Sequence, residues 1–168
     1  MRITKWGEYG ILCSLFLAQK GEGTACNATE IAEAQNIPLP YTHQILHRLK
    51  TGAVITTQRG RNGGYRLAHP AHEITLRSIL EAAEDDFFKT LCEIHPVYDE
   101  ACSTQADLCG LRHVWQEIEA AIATVLEKRT LQWLVENHGL DPLKPVSLIR
   151  IGSGSVNGHK TNAAEISN

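Results

Sequence analysis

The segment from Ala34 to His72 constrains the fold most, because a helix-forming run in it is followed at once by two short β-rich runs. The helix-forming run is YTHQILHRLKTG, which ends at Gly52. The β-rich runs are AVITTQR and YRLA, and the residues GRNGG join them. Glycine-rich sequence between two such runs is typical of a β-hairpin. The segment therefore predicts a helix packed beside a small hairpin.

Two further helices are predicted ahead of this segment. TKWGEYGILCSLFLAQ has helical spacing, and NATEIAEAQ begins with Asn27 as a cap and Glu30 in the position that completes a capping box. Pro40 suits the first position of the third helix, where its missing N–H costs nothing. One face of the first helix carries Tyr9, Leu12, Cys13 and Phe16. Three helices followed by a hairpin is the layout of a winged helix-turn-helix.

The rest of the chain continues as helix, loop, helix and tail. ITLRSILEAAED predicts a helix, and a longer one is expected from Leu111 to about Lys128, followed by a short helical piece, LQWLVEN. The apolar stripe of the long helix consists of Leu111, Trp115, Ile118, Ile122 and Val125. We therefore predict a mainly α fold with a small β-hairpin wing. Its parts are a winged helix-turn-helix domain over residues 1–84, a cysteine-containing loop and dimerisation helix over 85–137, and a flexible tail over 138–168.

Charge is distributed unevenly along the chain, although the net charge is only −3. No Asp or Glu occurs between Ala34 and His72, whereas the stretch from Glu81 to Asp107 is acidic and has Lys89 as its one basic residue. One face of the molecule is therefore expected to bind polyanions. The basic residues of the acid-free stretch are Arg48, Lys50, Arg59, Arg61 and Arg66.

The third helix has the spacing of a DNA-reading helix. At 100° per residue, Tyr41, Ile45 and Leu49 share one side, which is predicted to face the core. The opposite side carries donors and no carboxylate, which suits the major groove; it consists of His43, His47 and Lys50. In the hairpin, Arg59 and Arg61 can reach phosphates or the minor groove.

Other classes of protein fit the sequence less well. No apolar run reaches the roughly 18 residues of a membrane span, and no secretory signal is evident, so we expect a cytoplasmic protein without a membrane partner. We find no glycine-rich phosphate loop after a strand, no nucleophile elbow and no paired-carboxylate site, and we expect no enzyme. The five cysteines point to thiols or metal ligands rather than disulfides.

Three of the cysteines, Cys92, Cys102 and Cys109, lie close together before the long helix. Thiolates are soft ligands that suit iron–sulfur clusters or zinc. A tetrahedral site needs a fourth ligand, and His113 would share a helical face with Cys109. His95 is a further candidate in the loop itself. Cys13 is expected to pack in the core.

The sequence resembles the winged-helix regulators related to IscR and NsrR over residues 1 to about 137. The resemblance lies in a Tyr-led third helix, an RG..GGY.L wing and an ITL..I helix after a proline. In this chain the matching residues are Tyr41, Arg59, Gly60, Gly63, Gly64, Tyr65, Leu67, Ile74, Thr75 and Leu76. It implies a homodimeric transcription regulator that binds near-palindromic double-stranded DNA. The DNA-binding residues it implies are Tyr41, Thr42, His43, Gln44, His47, Arg48, Lys50, Arg59 and Arg61.

The resemblance also gives the cysteines an expected role. Many members of the family hold an iron–sulfur cluster, 2Fe–2S or 4Fe–4S, with three cysteines at the position of Cys92, Cys102 and Cys109. Some members complete the site with a carboxylate near the start of the first helix, donated by the partner subunit, and Glu8 matches that position. The fourth ligand is therefore Glu8 or His113, with His95 behind them.

The resemblance predicts that operator affinity is switched by redox, nitric oxide or iron status through the cluster. Two alternatives retain the same fold. One is a cluster-free regulator that senses oxidants through its thiols or holds a structural zinc ion. The other responds to a metabolite or a protein partner.

Overall fold

The computed structural model describes residues 3–60, 63–84 and 110–138. Several predicted features lie outside the described residues: the three clustered cysteines, His95, Arg61 and the tail from 139 onward. The division of the chain at 84 and 138 therefore stays a prediction.

The described chain contains six helices and one hairpin. The elements are α1 (Lys5–Lys20), α2 (Ala28–Gln35), α3 (Leu39–Thr51), β1 (Ile55–Gln58), β2 (Gly64–Leu67), α4 (Leu76–Ala83), α5 (Gly110–Glu127) and α6 (Leu131–His138). The strands pair antiparallel, with Ile55 opposite Leu67 and Gln58 opposite Gly64. The predicted mainly α fold with a small hairpin wing is confirmed.

The helix starts follow the capping residues in the sequence, with two differences. The Asn27 side chain accepts a hydrogen bond from the Glu30 backbone N–H at 2.8 Å, as predicted. The Glu30 carboxylate, however, forms an ion pair with Lys20 of α1 at 2.9 Å. This contact between α1 and α2 replaces the bond to the Asn27 backbone that a capping box would have. Helix α3 begins at Leu39 after Pro38, which puts Pro40 in its second position rather than its first. Proline is tolerated throughout the first turn, because those N–H groups have no partner within the helix.

The core forms where α1, α2, α3 and α4 meet. Ile45, Leu46 and Leu49 of α3 are completely buried, and they pack with apolar residues of the other helices. Cys13 is also buried there, as predicted, and burial raises the pKa of its thiol to about 12. This cysteine is therefore a neutral packing residue.

Helix α6 belongs to this core, although the sequence grouped its residues with the dimerisation helix. Leu131 is fully buried, and its N–H donates to the Ile74 carbonyl at 2.9 Å. The Leu76 N–H donates to the Arg129 carbonyl at 2.8 Å, and the Arg77 guanidinium bonds to Glu127. These bonds fasten the end of α5 to the start of α4. In the described parts of the chain, no helix is long and apolar enough to cross a membrane.

Leu46→Ala is expected to lower the free energy of unfolding by about 2–5 kcal/mol, because it leaves a cavity in a fully buried site. Urea denaturation followed by circular dichroism measures this change. Leu39→Ala, on the same helix but 38% exposed, is the matched control and should change it by less than about 1 kcal/mol. Equal effects of the two substitutions would contradict the packing described above.

Candidate nucleic-acid interface

The outer face of α3 presents donors and no carboxylate. His43, Gln44, His47 and Lys50 are exposed, while the inner face is buried. This arrangement has the shape and charge of a helix that enters the major groove, where Gln and Lys pair with base edges and phosphates. The predicted outward direction of His43, His47 and Lys50 is confirmed; contact with DNA stays a prediction.

Two residues in the first turn of α3 differ from their predicted positions. Tyr41 was expected in the core but is 49% exposed, and its ring centroid lies 5.6 Å from that of Trp6 and 6.5 Å from that of Tyr9. Thr42 takes the inner position, because it precedes buried Ile45 by three residues. Its hydroxyl donates to the Pro38 carbonyl at 3.4 Å, so Thr42 is removed from the expected DNA contacts.

Arg48 also has a role inside the protein. Its Nη1 donates to the Ala83 carbonyl at 2.9 Å, and its guanidinium lies 5.1 Å from the centroid of the Trp6 ring. The side chain is partly buried as a result. Within the protein, this arginine joins α3 to α4 and α1, and its expected DNA contact stays a prediction.

The described part of the wing exposes two arginines. Arg59 is exposed at the end of β1, and Arg66, which was not among the predicted contacts, is exposed on β2. Gly60 has a φ of +119°, and its carbonyl accepts from the Gly63 N–H at 2.9 Å. An L-residue at position 60 would be strained, which explains a glycine at this turn.

A pair of backbone hydrogen bonds fixes the wing to the loop before α2. The Cys26 N–H donates to the Tyr65 carbonyl at 2.9 Å, and the Tyr65 N–H donates to the Cys26 carbonyl at 2.8 Å. A side chain at Gly64 would overlap the Cys26 backbone, so glycine is required there for this approach. Burial raises the pKa of the Cys26 thiol, which leaves it protonated within the fold.

An open groove of about 610 Å³ lies between α2, α3 and the wing. Its lining includes Glu30 and Glu33 of α2 and His43 of α3. Carboxylates repel phosphate, so this groove is less suited to DNA than the outer face of α3. The sequence did not predict this groove, because it depends on how the wing folds back against α2.

The two described candidates for a fourth metal ligand lie on different helices. Glu8 is exposed in the first turn of α1, where its Oε2 lies 2.6 Å from Lys5 Nζ and raises the pKa of that lysine. His113 is exposed in the first turn of α5. Within residues 3–60, 63–84 and 110–138, no three metal-binding side chains are close enough to hold an ion. Both residues therefore remain candidates.

Helix α5 exposes the apolar side that the sequence predicted. Leu111 is 56% exposed, Ile118 42% and Val125 57%, while Trp115 and Ile122 are partly buried. Val114, which the predicted stripe omitted, is 49% exposed. Leu111, Val114, Ile118 and Val125 therefore form an apolar surface that the described part of the protomer leaves exposed.

Comparisons with known proteins agree with this architecture. The profile of the family described as "Rrf2: Iron-dependent Transcriptional regulator" matches residues 3–137. The HTH-type transcriptional regulator NsrR of Bacillus subtilis (strain 168) is 33% identical over 145 residues, which cover 82% of this chain and 92% of that protein.

Two solved structures share the fold. T. potens IscR has a TM-score of 0.63 at 22% identity and covers 86% of this chain and 93% of its own. The oxidized form of Staphylococcus aureus CymR has a TM-score of 0.59 at 29% identity and covers 81% of this chain and 97% of its own. The family profile matches residues 3–137, and the fold contains helix α3 followed by the wing. This protein therefore belongs to the Rrf2 family of transcriptional regulators.

Proposed function

We propose that this Rrf2-family regulator acts as a homodimer whose affinity for its operator depends on an iron–sulfur cluster bound by Cys92, Cys102 and Cys109. The observation that carries the proposal is where these cysteines fall in the chain. They lie between Glu84, the last described residue of the winged helix-turn-helix domain, and Gly110, the first residue of α5. A change in the cluster at this position can alter the orientation of the winged helix-turn-helix domain relative to α5.

The donor set fits an iron–sulfur cluster. Cysteine thiolates are the usual protein ligands of such clusters, and Glu8 or His113 can add a fourth donor to the three cysteines from an exposed first-turn position. The bound cluster would supply a centre that reacts with oxidants or nitric oxide. The buried thiols of Cys13 and Cys26 stay outside this set, because burial keeps both of them protonated.

The protein's own residues would read DNA through α3 and the wing. His43, Gln44 and His47 face the bases, Lys50 binds a phosphate, and Arg59 with Arg61 follows the backbone or enters the minor groove. Tyr41 lies exposed at the start of α3, where residues of a reading helix approach the base edges.

The exposed apolar side of α5 supports a two-fold dimer. A helix with an uncovered apolar stripe is most often buried against a copy of itself, and a two-fold axis would pair the stripes of two protomers. Two α3 helices would then enter successive major grooves about 34–36 Å apart, which matches a near-palindromic operator.

Anaerobically purified protein is expected to absorb visible light and to contain iron and acid-labile sulfide, and Cys109→Ser is expected to lose most of all three. The reason is that a serine hydroxyl at pH 7 does not replace a thiolate ligand. Cys26→Ser, at a buried cysteine of the reading part, is the matched control and should keep the spectrum. Colourless, iron-free wild-type protein that cannot be reconstituted would remove the cluster proposal.

The same spectra assign the fourth ligand. Glu8→Ala and His113→Ala are compared separately, and one of them should shift the visible bands while the other leaves them unchanged. If neither substitution changes the visible bands of the wild-type protein, neither residue is the ligand.

A second candidate function is a cluster-free regulator that senses oxidants through its thiols. The likeness to the oxidized form of Staphylococcus aureus CymR favours it. In that case colourless protein would bind its operator, and peroxide treatment would change the affinity. A structural zinc ion bound by three cysteines and a histidine would instead be seen as one zinc per protomer.

A further inference from the structure

We infer that Glu84 is a positioning residue that fastens the end of α4 to the start of α1 and thereby fixes the orientation of α3. The inference rests on the proposed DNA-reading role of α3. Glu84 is 9% exposed, and its Oε1 accepts from the Thr4 N–H at 2.8 Å and from the Gly7 N–H at 3.1 Å. N–H groups at a helix start have no partner in the helix, and a carboxylate is well suited to bind them.

Gly7 provides the space for this carboxylate. A Cβ at position 7 would overlap Glu84 Oε1 and lie 2.8 Å from Leu80 Cδ2. Since Gly7 lies inside α1, alanine would otherwise favour the helix at this position. The glycine is therefore explained by the contact with Glu84 and not by the backbone conformation of α1.

The residue before Glu84 is bound to the reading helix. The Ala83 carbonyl accepts from Arg48 Nη1 at 2.9 Å, and the Arg48 guanidinium stacks on Trp6 of α1. Trp6 in turn contacts the ring of Tyr41 at the other end of α3. Contacts of Arg48 and Tyr41 thus connect both ends of α3 to the junction, which is the region where the start of α1 meets residues 83 and 84.

This junction lies next to both parts of the proposed sensing site. Glu84 is followed directly by the segment 85–109, which contains the three cysteines, and Glu8 follows Gly7. A shift of the chain at residue 84 would release the start of α1 and move the acceptor of Arg48. The junction is therefore a contiguous path from the sensing segment to α3.

Two substitutions break the junction from opposite sides. Glu84→Ala removes the acceptor, and Gly7→Ala displaces it. Both should speed hydrogen exchange in residues 3–10 and also in α3, leave α2 unchanged, and lower operator affinity by about tenfold. Glu84→Gln keeps an acceptor oxygen and should restore most of the affinity, and Glu73→Ala, an exposed carboxylate, is the control.

A purely local cap would give a different result. Faster exchange at the start of α1 alone, with α3 and operator affinity as in wild type, would overturn the inference. If Glu84→Ala and Gly7→Ala do not fold, Arg48→Met is used, because methionine has no N–H donor for the Ala83 carbonyl and leaves the Glu84 carboxylate in place. It should speed hydrogen exchange in α3 and not at the start of α1, and unchanged exchange in α3 would overturn the inference. Should wild type bind no DNA, the proposed function fails, while exchange in α3 still decides the role of Glu84.

Discussion

Replacing Ile118 with glutamate is expected to make the protein monomeric and to lower its affinity for a two-half-site operator by about 10²–10⁴-fold. Ile118 is 42% exposed in the middle of the apolar side of α5. A carboxylate there would be buried without a partner in the dimer, which costs several kcal/mol. Once the protomers separate, each half-site is bound by a single winged helix-turn-helix domain. The additional operator affinity that comes from linking two such domains is then lost.

Analytical sedimentation measures the oligomeric state, and titration with full and half operators measures the affinity for each DNA. Affinity for a half-site should stay at the wild-type value, because α3 and the wing are unchanged. Gln116→Glu introduces the same charge on an exposed position 200° away around the helix and should remain dimeric. An Ile118→Glu protein that sediments as a dimer would show that the stripe is not the interface.

The sequence predicted the elements well because each depends on short-range chemistry. Asn27 caps α2 through a bond to a residue three positions away, and Gly60 provides the positive φ of the wing turn. In α4, Ile79, Leu80 and Ala83 recur at helical spacing and are buried. Such local preferences can be read from a few neighbouring residues.

The sequence did not predict contacts made over long sequence separations. Arg48 bonds to Ala83, 35 positions away, and Glu84 binds the backbone of Thr4, 80 positions away. No pattern in the neighbourhood of either residue indicates its partner. The basic pattern of α3 therefore could not indicate that the Arg48 guanidinium also makes contacts within the protein.

Helical periodicity alone could not assign Tyr41 and Thr42 to the two faces of α3. One residue corresponds to 100° of rotation, so the spacing of Tyr41 from Ile45 and that of Thr42 from Ile45 both fit one helical face. Three aromatic rings decide between them: Tyr41 packs on Trp6 and Tyr9 at the surface, and the smaller threonine enters the core. Side-chain volume, rather than periodicity, selects the inner residue.

Operator binding is expected to weaken by about 10³–10⁵-fold between 50 and 200 mM salt, if the dimer makes 6–10 phosphate contacts. The outer face of α3 and the wing carry exposed Lys50, Arg59 and Arg66 without a carboxylate between them. Each cation that neutralises a phosphate releases a counterion, so the logarithm of the affinity falls linearly with that of the salt concentration. Fluorescence anisotropy of labelled operator at several salt concentrations measures the slope.

Lys50→Ala separates a phosphate contact from a general charge effect. A dimer would lose two phosphate contacts, so the slope should decrease in magnitude by about 2, and affinity should fall similarly on specific and unrelated sequences. Lys128→Ala removes the same charge beyond the end of α5 and should leave the slope unchanged. Because both variants alter the net charge equally, a difference in slope can only come from where the lysine lies. Equal slopes would mean that the outer face of α3 does not meet the DNA backbone at Lys50, and a flat response in wild type would exclude DNA as the ligand of this face.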